Sequence, residues 1–220
     1  LVVGSKRGLA LVDAQRGTLI RETVGIGSVS DVEVGDLIPE VPGLEIAARA
    51  DQDVLHVESL DTGVRLSSTV VGTGGTMRFA ELGEQPRLFI PLSLGHVAGF
   101  HFVKVADQDW IPEATWLSEY LAQELTAIIH LEINGEPRVV AGGEGGSTLA
   151  VIDPRGKVVD RIALSTWVET LAPWDEHQLL VAGSGGIFRV DLATTTSEST
   201  DGTTRVHPFS SDGSHVVTTD

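Results

Sequence analysis

The chain has 220 residues, 41% of them hydrophobic, which is enough apolar material for one large domain. Its formal net charge of −16 would repel a phosphate backbone, so we expect no nucleic-acid partner, whereas a basic partner or a bound cation would suit that charge. It has no cysteine, which excludes disulfides and thiolate chemistry, and no apolar run reaches the ~18 residues of a membrane helix, so we expect no membrane insertion.

The first predicted element is a strand–turn–strand unit over residues 1–13, and the chain repeats it. Each copy has an apolar run, a turn and a second strand, and in four of the five copies the second strand ends in an acidic residue; the copy at 88–105 is weaker. The five copies begin at Leu1, Leu44, Leu88, Val139 and Leu180. Three of the four intervals between these positions are close to the ~40–45 residues of one propeller blade.

Two further strands are predicted in each repeat. Outer strands follow the acidic residue at 18–24, 65–71 and 158–164, and strands at 29–34, 77–82, 127–133 and 168–171 precede the next copy. Four short strands per repeat are typical of an antiparallel blade. The predicted fold class is therefore all-β, a β-propeller of four-stranded antiparallel blades. We expect 1–220 to be a single domain of five to seven blades, not all of which need lie within this chain.

An irregular stretch interrupts the repeat at residues 107–125. Trp116, Leu117, Tyr120 and Leu121 recur at helical spacing, which predicts a short amphipathic helix in this insert. Because insertions on rigid scaffolds often bind partners, Trp110, Trp116 and Tyr120 are the candidate binding residues. The alternative is that these aromatic side chains pack the insert onto its blade.

The last predicted element is a strand at 214–219, which is either the second strand of a sixth blade or closes a five-bladed ring against residues 1–4. The run SSDGSHVVTTD at 210–220 resembles the turn-and-strand signature of WD-repeat propellers. Three pairs occupy the place of that family's Trp-Asp dipeptide: Val12-Asp13, Ile152-Asp153 and Val190-Asp191. No copy has the tryptophan, so quinoprotein-like propellers remain an alternative. Since the first residue is Leu1, we expect the gene product to begin upstream.

Catalytic, metal and cofactor motifs are not found in the sequence. The seven histidines form no metal-binding pair, and Asp51 and Asp53 lack the rest of a calcium loop. The glycine runs at 71–76 and 142–147 lack the Lys-Ser/Thr ending of a phosphate-binding loop. We therefore predict no catalytic residue, metal or cofactor. The repeated acidic residues are interpreted as acceptors for turn amides: Asp13, Glu58, Asp153 and Asp191.

The resemblance to WD-repeat propellers implies a scaffold or sensor, part of a larger protein, that binds another protein or another domain of the same chain. We expect it to be cytoplasmic and not an enzyme. The alternative is a propeller enzyme of lactonase or quinone-dependent dehydrogenase type with a metal in the central channel, although Asn134 is the single asparagine available for such a site. A lectin-like propeller ranks third, because the four tryptophans do not recur at the blade period.

Overall fold

The computed structural model describes residues 1–72, 75–82, 85–105, 109–175, 177–192 and 206–208. These residues form nineteen strands in five antiparallel sheets. In each sheet the strands are neighbours in the same order as in the sequence. This meander arises because tight turns join strands of similar length, which is the simplest antiparallel connection.

The first sheet has three strands and the others have four. The first contains β1 (Val2–Ser5), β2 (Gly8–Asp13) and β3 (Thr18–Val24). The second contains β4 (Asp31–Gly35), β5 (Glu45–Ala50), β6 (Val54–Ser59) and β7 (Arg65–Val70). The third contains β8 (Arg78–Leu82), β9 (Gln85–Leu92), β10 (His96–Lys104) and β11 (Trp110–Leu117). The fourth contains β12 (Glu124–Ile133), β13 (Glu136–Glu144), β14 (Thr148–Ile152) and β15 (Val158–Ala163). The fifth contains β16 (Thr170–Asp175), β17 (Gln178–Gly183), β18 (Gly186–Asp191) and β19 (Val206–Pro208).

The sheets stack side by side in chain order. The first strands of successive sheets, β1, β4, β8, β12 and β16, contact one another in that order. Apolar side chains fill the space between neighbouring sheets, so the middle strands of the inner sheets are buried on both faces. In the described part of the chain the sheets form an open arc that does not close into a ring. This is the architecture of a β-propeller, and the predicted fold class is confirmed.

Two of the repeated acidic residues act as predicted. Asp13 accepts hydrogen bonds from the backbone N–H groups of Gln15 and Arg16 at 2.9 and 3.1 Å. Asp153 accepts from those of Arg155 and Lys157 at 2.9 and 3.0 Å. Their carboxylates therefore fix the turn that leads to the outer strand. Glu58 does not do this, because its side chain faces the neighbouring sheet.

The helix predicted within 107–125 is wrong. Residues Trp110–Leu117 form β11, which pairs with β10 from Lys104↔Trp110 to Ala98↔Leu117. The helical spacing of Trp116, Leu117, Tyr120 and Leu121 was coincidental, because pairing with the long strand β10 provides backbone hydrogen bonds that the short segment could not match as an isolated helix. Pro112 is tolerated because β11 is the outermost strand of its sheet. The strand predicted at 214–219 lies outside the described residues.

Candidate functional site

Two kinds of connection between strands lie at the same end of the sheets. The turns joining β5 to β6, β9 to β10, β13 to β14 and β17 to β18 lie at this end, as do the loops that lead from one sheet to the next. Antiparallel alternation requires this, because every second connection of a meander falls at the same end of the strands. We call this end of the molecule the hairpin edge.

The three sequence-predicted binding residues are not brought together. Trp110 begins β11 and lies at the opposite edge, where Lys104 Nζ is 5.9 Å from the centre of its ring. Tyr120 lies past the other end of β11, on the hairpin edge, and is 56% exposed. Since the eight residues of β11 rise about 3.3 Å each, Trp110 and Tyr120 lie more than about 20 Å apart.

Trp116 packs between two sheets. Its ring centre lies 5.7 Å from that of Phe89. A Cβ atom added at Gly99 in the third sheet or at Gly156 in the fourth would come within 2.7 Å of its indole ring. A side chain at either Gly99 or Gly156 would clash with the indole ring, so both positions leave room for it. Trp116 therefore packs the segment onto its blade, which was the alternative to a binding role.

The hairpin edge carries a groove between the fourth and fifth sheets. Its volume is about 420 Å³, and we call it the serine groove. Three exposed hydroxyl groups, a glycine turn, a buried threonine and a tryptophan line it: Ser147, Ser165, Ser184, Gly145, Gly146, Thr166 and Trp167. No lysine or arginine is among the lining residues, so the groove offers hydrogen-bonding groups and an aromatic face but no positive charge.

Thr166 holds the base of this groove. Its Oγ1 accepts a hydrogen bond from the Gly185 N–H at 3.0 Å and lies 3.1 Å from Ser184 Oγ. The Leu164 N–H donates to the Ser147 carbonyl at 2.7 Å. The loop at 164–169 is thereby tied to the turns of both flanking sheets, and the groove is preformed.

Trp167 is the aromatic residue that sequence reasoning missed. It is 46% exposed, although Thr166 and Val168 on either side of it are buried. It occupies a six-residue loop between β15 and β16, and Tyr120 occupies a loop of the same length between β11 and β12. The sequence signal for both residues is their place in the repeat. Each lies in the loop that follows an outer strand, and each is an aromatic side chain that is not buried in the core.

Three glutamates lie close in the chain or in strand register to the residues that line the serine groove. Glu144 immediately precedes Gly145, Glu124 is its direct partner in the register of β12 and β13, and Glu169 follows Trp167 by two residues. All three are exposed. Nearby, Arg161 is engaged elsewhere, since its Nη2 donates to Glu119 Oε1 at 2.8 Å and to the Tyr120 carbonyl at 3.1 Å.

A second polar cluster joins the first and second sheets. Glu58 is 1% exposed, and its Oε1 accepts from Arg21 Nη2 at 2.9 Å and from Thr23 Oγ1 at 3.0 Å. His56 Nε2 lies 3.1 Å from its Oε2. Burial alone would raise the pKa of Glu58, but these hydrogen bonds outweigh it and hold the pKa below its ordinary value. Glu58 and His56 are buried and Arg21 is partly exposed, so the cluster links the two sheets at their junction.

The described residues show neither a metal-binding cluster nor a membrane-spanning helix. They include no group of three or more histidine, aspartate or glutamate side chains placed to hold a metal ion. They also include no helix with the length and apolar character needed to cross a bilayer.

The structure resembles known propellers, although no family model and no curated protein matches the sequence. The BBS1N chain solved in complex with ARL6DN aligns with a TM-score of 0.67 at 14% identity, covering 87% of this chain and 60% of that one. The RRP9 WD40 repeats align at 0.62 with 9% identity, covering 86% and 58%. A β-propeller domain from Myceliophteria thermophila aligns at 0.62 with 13% identity, covering 91% and 67%.

These similarities establish the fold. At 9 to 14% identity they carry no information about activity. The chain spans 56 to 61% of the length of the first three solved chains that it matches. The neighbours include WD40 propellers, as the repeat predicted, and the quinoprotein-like alternative stays a prediction.

Proposed function

We propose that this chain acts as one propeller domain that binds a partner protein, or another domain of a longer chain, through its hairpin edge. The observation that carries the proposal is the pair of half-exposed aromatic residues, Tyr120 and Trp167, on two successive loops of that edge. Tyrosine and tryptophan are the residues most often found at the energetic centres of protein interfaces, because they contribute a large contact area with few rotatable bonds.

The two loops are held in place by the scaffold. The Leu121 N–H donates to the Gly95 carbonyl at 2.8 Å, and the Val168 N–H lies 3.4 Å from the Gly143 carbonyl. Leu121 and Val168 are themselves buried. Each aromatic side chain thus projects from a loop whose backbone is already ordered, so little conformational entropy would be lost on binding.

The turn at 145–146 connects the two loops into one surface. A Cβ atom at Gly146 would lie 3.4 Å from Ala122, two residues after Tyr120 in the sequence, and Gly146 also lines the serine groove with Trp167. Some structural neighbours support an interaction role, since one was solved in complex with ARL6DN and another within the mitotic checkpoint complex. Trp110, at the opposite edge, remains a predicted contact of a separate surface.

The test compares partner capture by the full chain and three variants. Tyr120→Ala and Trp167→Ala alter the proposed surface, while Trp174→Ala removes a tryptophan that is 50% exposed on β16 near the opposite edge. Proteins captured from the source organism would be quantified by mass spectrometry. We expect the wild type and Trp174→Ala to retain the same partner and the other two variants to lose it at least about tenfold. Equal capture by all four proteins would refute the proposal.

A further inference from the structure

We propose that the serine groove is a receptor for a cationic side chain of a basic partner protein. The side chain would stack on Trp167 while Glu124, Glu144 and Glu169 neutralise its charge. The inference rests on the proposed function, since it names the chemistry of the partner at the same edge.

The three glutamates are the first support. Glu124 and Glu144 face each other across the β12–β13 pair, an arrangement in which like charges repel. Glu169 is close to both, because the Val168 N–H lies 3.4 Å from the carbonyl of Gly143, the residue before Glu144. Within the described ranges none of the three forms an ion pair. A cation bound among them would relieve this repulsion.

Trp167 is the second support. The face of an indole ring attracts cations more strongly than that of any other side chain. Val168, immediately after it, is completely buried, and its carbonyl accepts a hydrogen bond from Thr126 Oγ1. The indole is therefore presented from a fixed backbone, at the border of a groove lined by hydroxyl groups.

The groove chemistry favours a guanidinium or an ammonium group over an anion. Ser147, Ser165 and Ser184 supply hydroxyl oxygens that can accept N–H donors, of which a guanidinium has five. An anion would meet the neighbouring carboxylates without any lining lysine or arginine to pair with. The net charge of −16 would also speed the approach of a basic partner.

The direct test uses the full chain and a capped Gly-Gly-Arg-Gly-Gly peptide, with citrulline in place of arginine as the uncharged control. Binding is followed by the indole N–H resonances of the four tryptophans, of which Trp167 is assigned with a Trp167→Phe variant. We expect the arginine peptide to shift the Trp167 resonance saturably and to leave the Trp174 resonance in place. The citrulline peptide should bind at least about tenfold more weakly.

Charge variants separate recognition from folding. Glu144→Gln should weaken arginine-peptide binding about threefold to tenfold. Glu132→Gln, an exposed position near the far end of the same strand as Glu124, should leave binding unchanged. Backbone amide spectra that overlay those of the wild type would confirm that both variants are folded.

The results distinguish this inference from the proposed function. If the arginine and citrulline peptides bind equally, or if neither shifts the Trp167 resonance, the cationic receptor is refuted. Should Trp167→Ala still lose the captured partner in that case, the interaction surface stands and its ligand is not a cationic side chain. If Trp167→Ala captures the partner normally as well, both proposals fail.

Discussion

The junction between the first and second sheets and the junction between the fourth and fifth sheets hold neighbouring blades together by different means. At the first junction the apolar cluster contains four buried members among the described residues: Leu9, Val29, Ile46 and Ala48. The polar cluster of Glu58, Arg21, Thr23 and His56 also joins these two sheets. Arg21 adds a hydrogen bond to the Leu60 carbonyl at 3.0 Å. At the other junction the cluster contains thirteen buried apolar residues, among them Leu149, Leu179 and Val190.

The difference reflects which side chains the sequence places at each junction, because each junction joins an end sheet of the arc to an inner sheet. The fourth sheet is covered on both faces, so apolar side chains can pack there without contacting water. The first sheet is covered on one face, and Val3, Ile20 and Val24 on its strands are exposed. A buried ionic cluster suits that thinner contact because its directional hydrogen bonds fix the relative position of the two sheets.

The largest expected effect comes from the apolar junction. Leu149→Ala should lower the free energy of unfolding by about 3 kcal/mol, because Leu149 is completely buried and the substitution leaves a cavity. Urea denaturation measures this loss. Leu94→Ala, at a position that is 76% exposed, is the control and should change stability by less than about 0.5 kcal/mol. Similar losses in the two variants would mean that the fourth and fifth sheets are not closely packed.

The polar junction should show a smaller effect that depends on pH. Glu58→Gln should lower the free energy of unfolding by about 2 kcal/mol at pH 7, because the amide group cannot accept all the hydrogen bonds that the carboxylate accepts. The folded-state pKa of Glu58 is lowered, so its stabilising contribution is present above the ordinary value of 4.5 and is lost as the pH falls through the folded-state pKa.

Urea denaturation from pH 7 down to pH 3 would test this dependence. The difference between the wild type and Glu58→Gln should shrink below about pH 4.5, whereas the effect of Leu149→Ala should stay constant. Glu22→Gln, at an exposed position between Arg21 and Thr23, is the matched control and should resemble the wild type throughout. A difference that persists unchanged at low pH would mean that Glu58 acts through its shape and not through its charge.

The sequence predicted the repeating sheets well because their signal is local. Apolar runs and turn residues recur with each blade, and acidic strand ends with four of the five, so the strands were placed close to their observed positions. The error at 107–125 also came from a local signal. Four residues at helical spacing predicted a helix, whereas the segment forms a strand that pairs with β10. That pairing depends on the long strand His96–Lys104, which lies entirely before residue 107 and so is not part of the local pattern.

The candidate site was harder to predict because it depends on contacts between sheets. Tyr120 was selected, but Trp116 belongs to the core and Trp110 to the other edge. Trp167 adjoins the turn at 145–147 and Ser184 only once two sheets are side by side. Glu58 was likewise interpreted as an acceptor for the amides of the turn that follows its strand. Its actual partners, Arg21 and Thr23, lie in another sheet and could not be identified from the local sequence.

The smallest expected effect concerns Glu45, which lies in the second sheet next to the register partner of Glu58. Its Oε2 accepts from the N–H groups of Leu37 and Ile38 at 2.8 and 3.1 Å. Its Oε1 is buried without a hydrogen-bond partner in the described residues, as is Asp36 Oδ1. Burial raises the pKa of Glu45, and the charge of Asp36 raises it further.

Glu45→Gln should therefore stabilise the protein, by about 1 kcal/mol at pH 7, in contrast to Glu58→Gln. The amide oxygen can still accept both N–H groups, and the amide removes the charge whose burial is unfavourable. Because the folded-state pKa of Glu45 is raised, the ionised wild type loses stability as the pH rises above about 4.5, so the advantage of the variant should disappear below that pH. Glu45→Ala, which removes the acceptor itself, should destabilise the protein by about 2 kcal/mol. If Glu45→Gln lost as much stability at pH 7 as Glu45→Ala, the negative charge of Glu45 would itself hold the 36–44 loop, and the two buried glutamates of the second sheet would stabilise the blade in the same way.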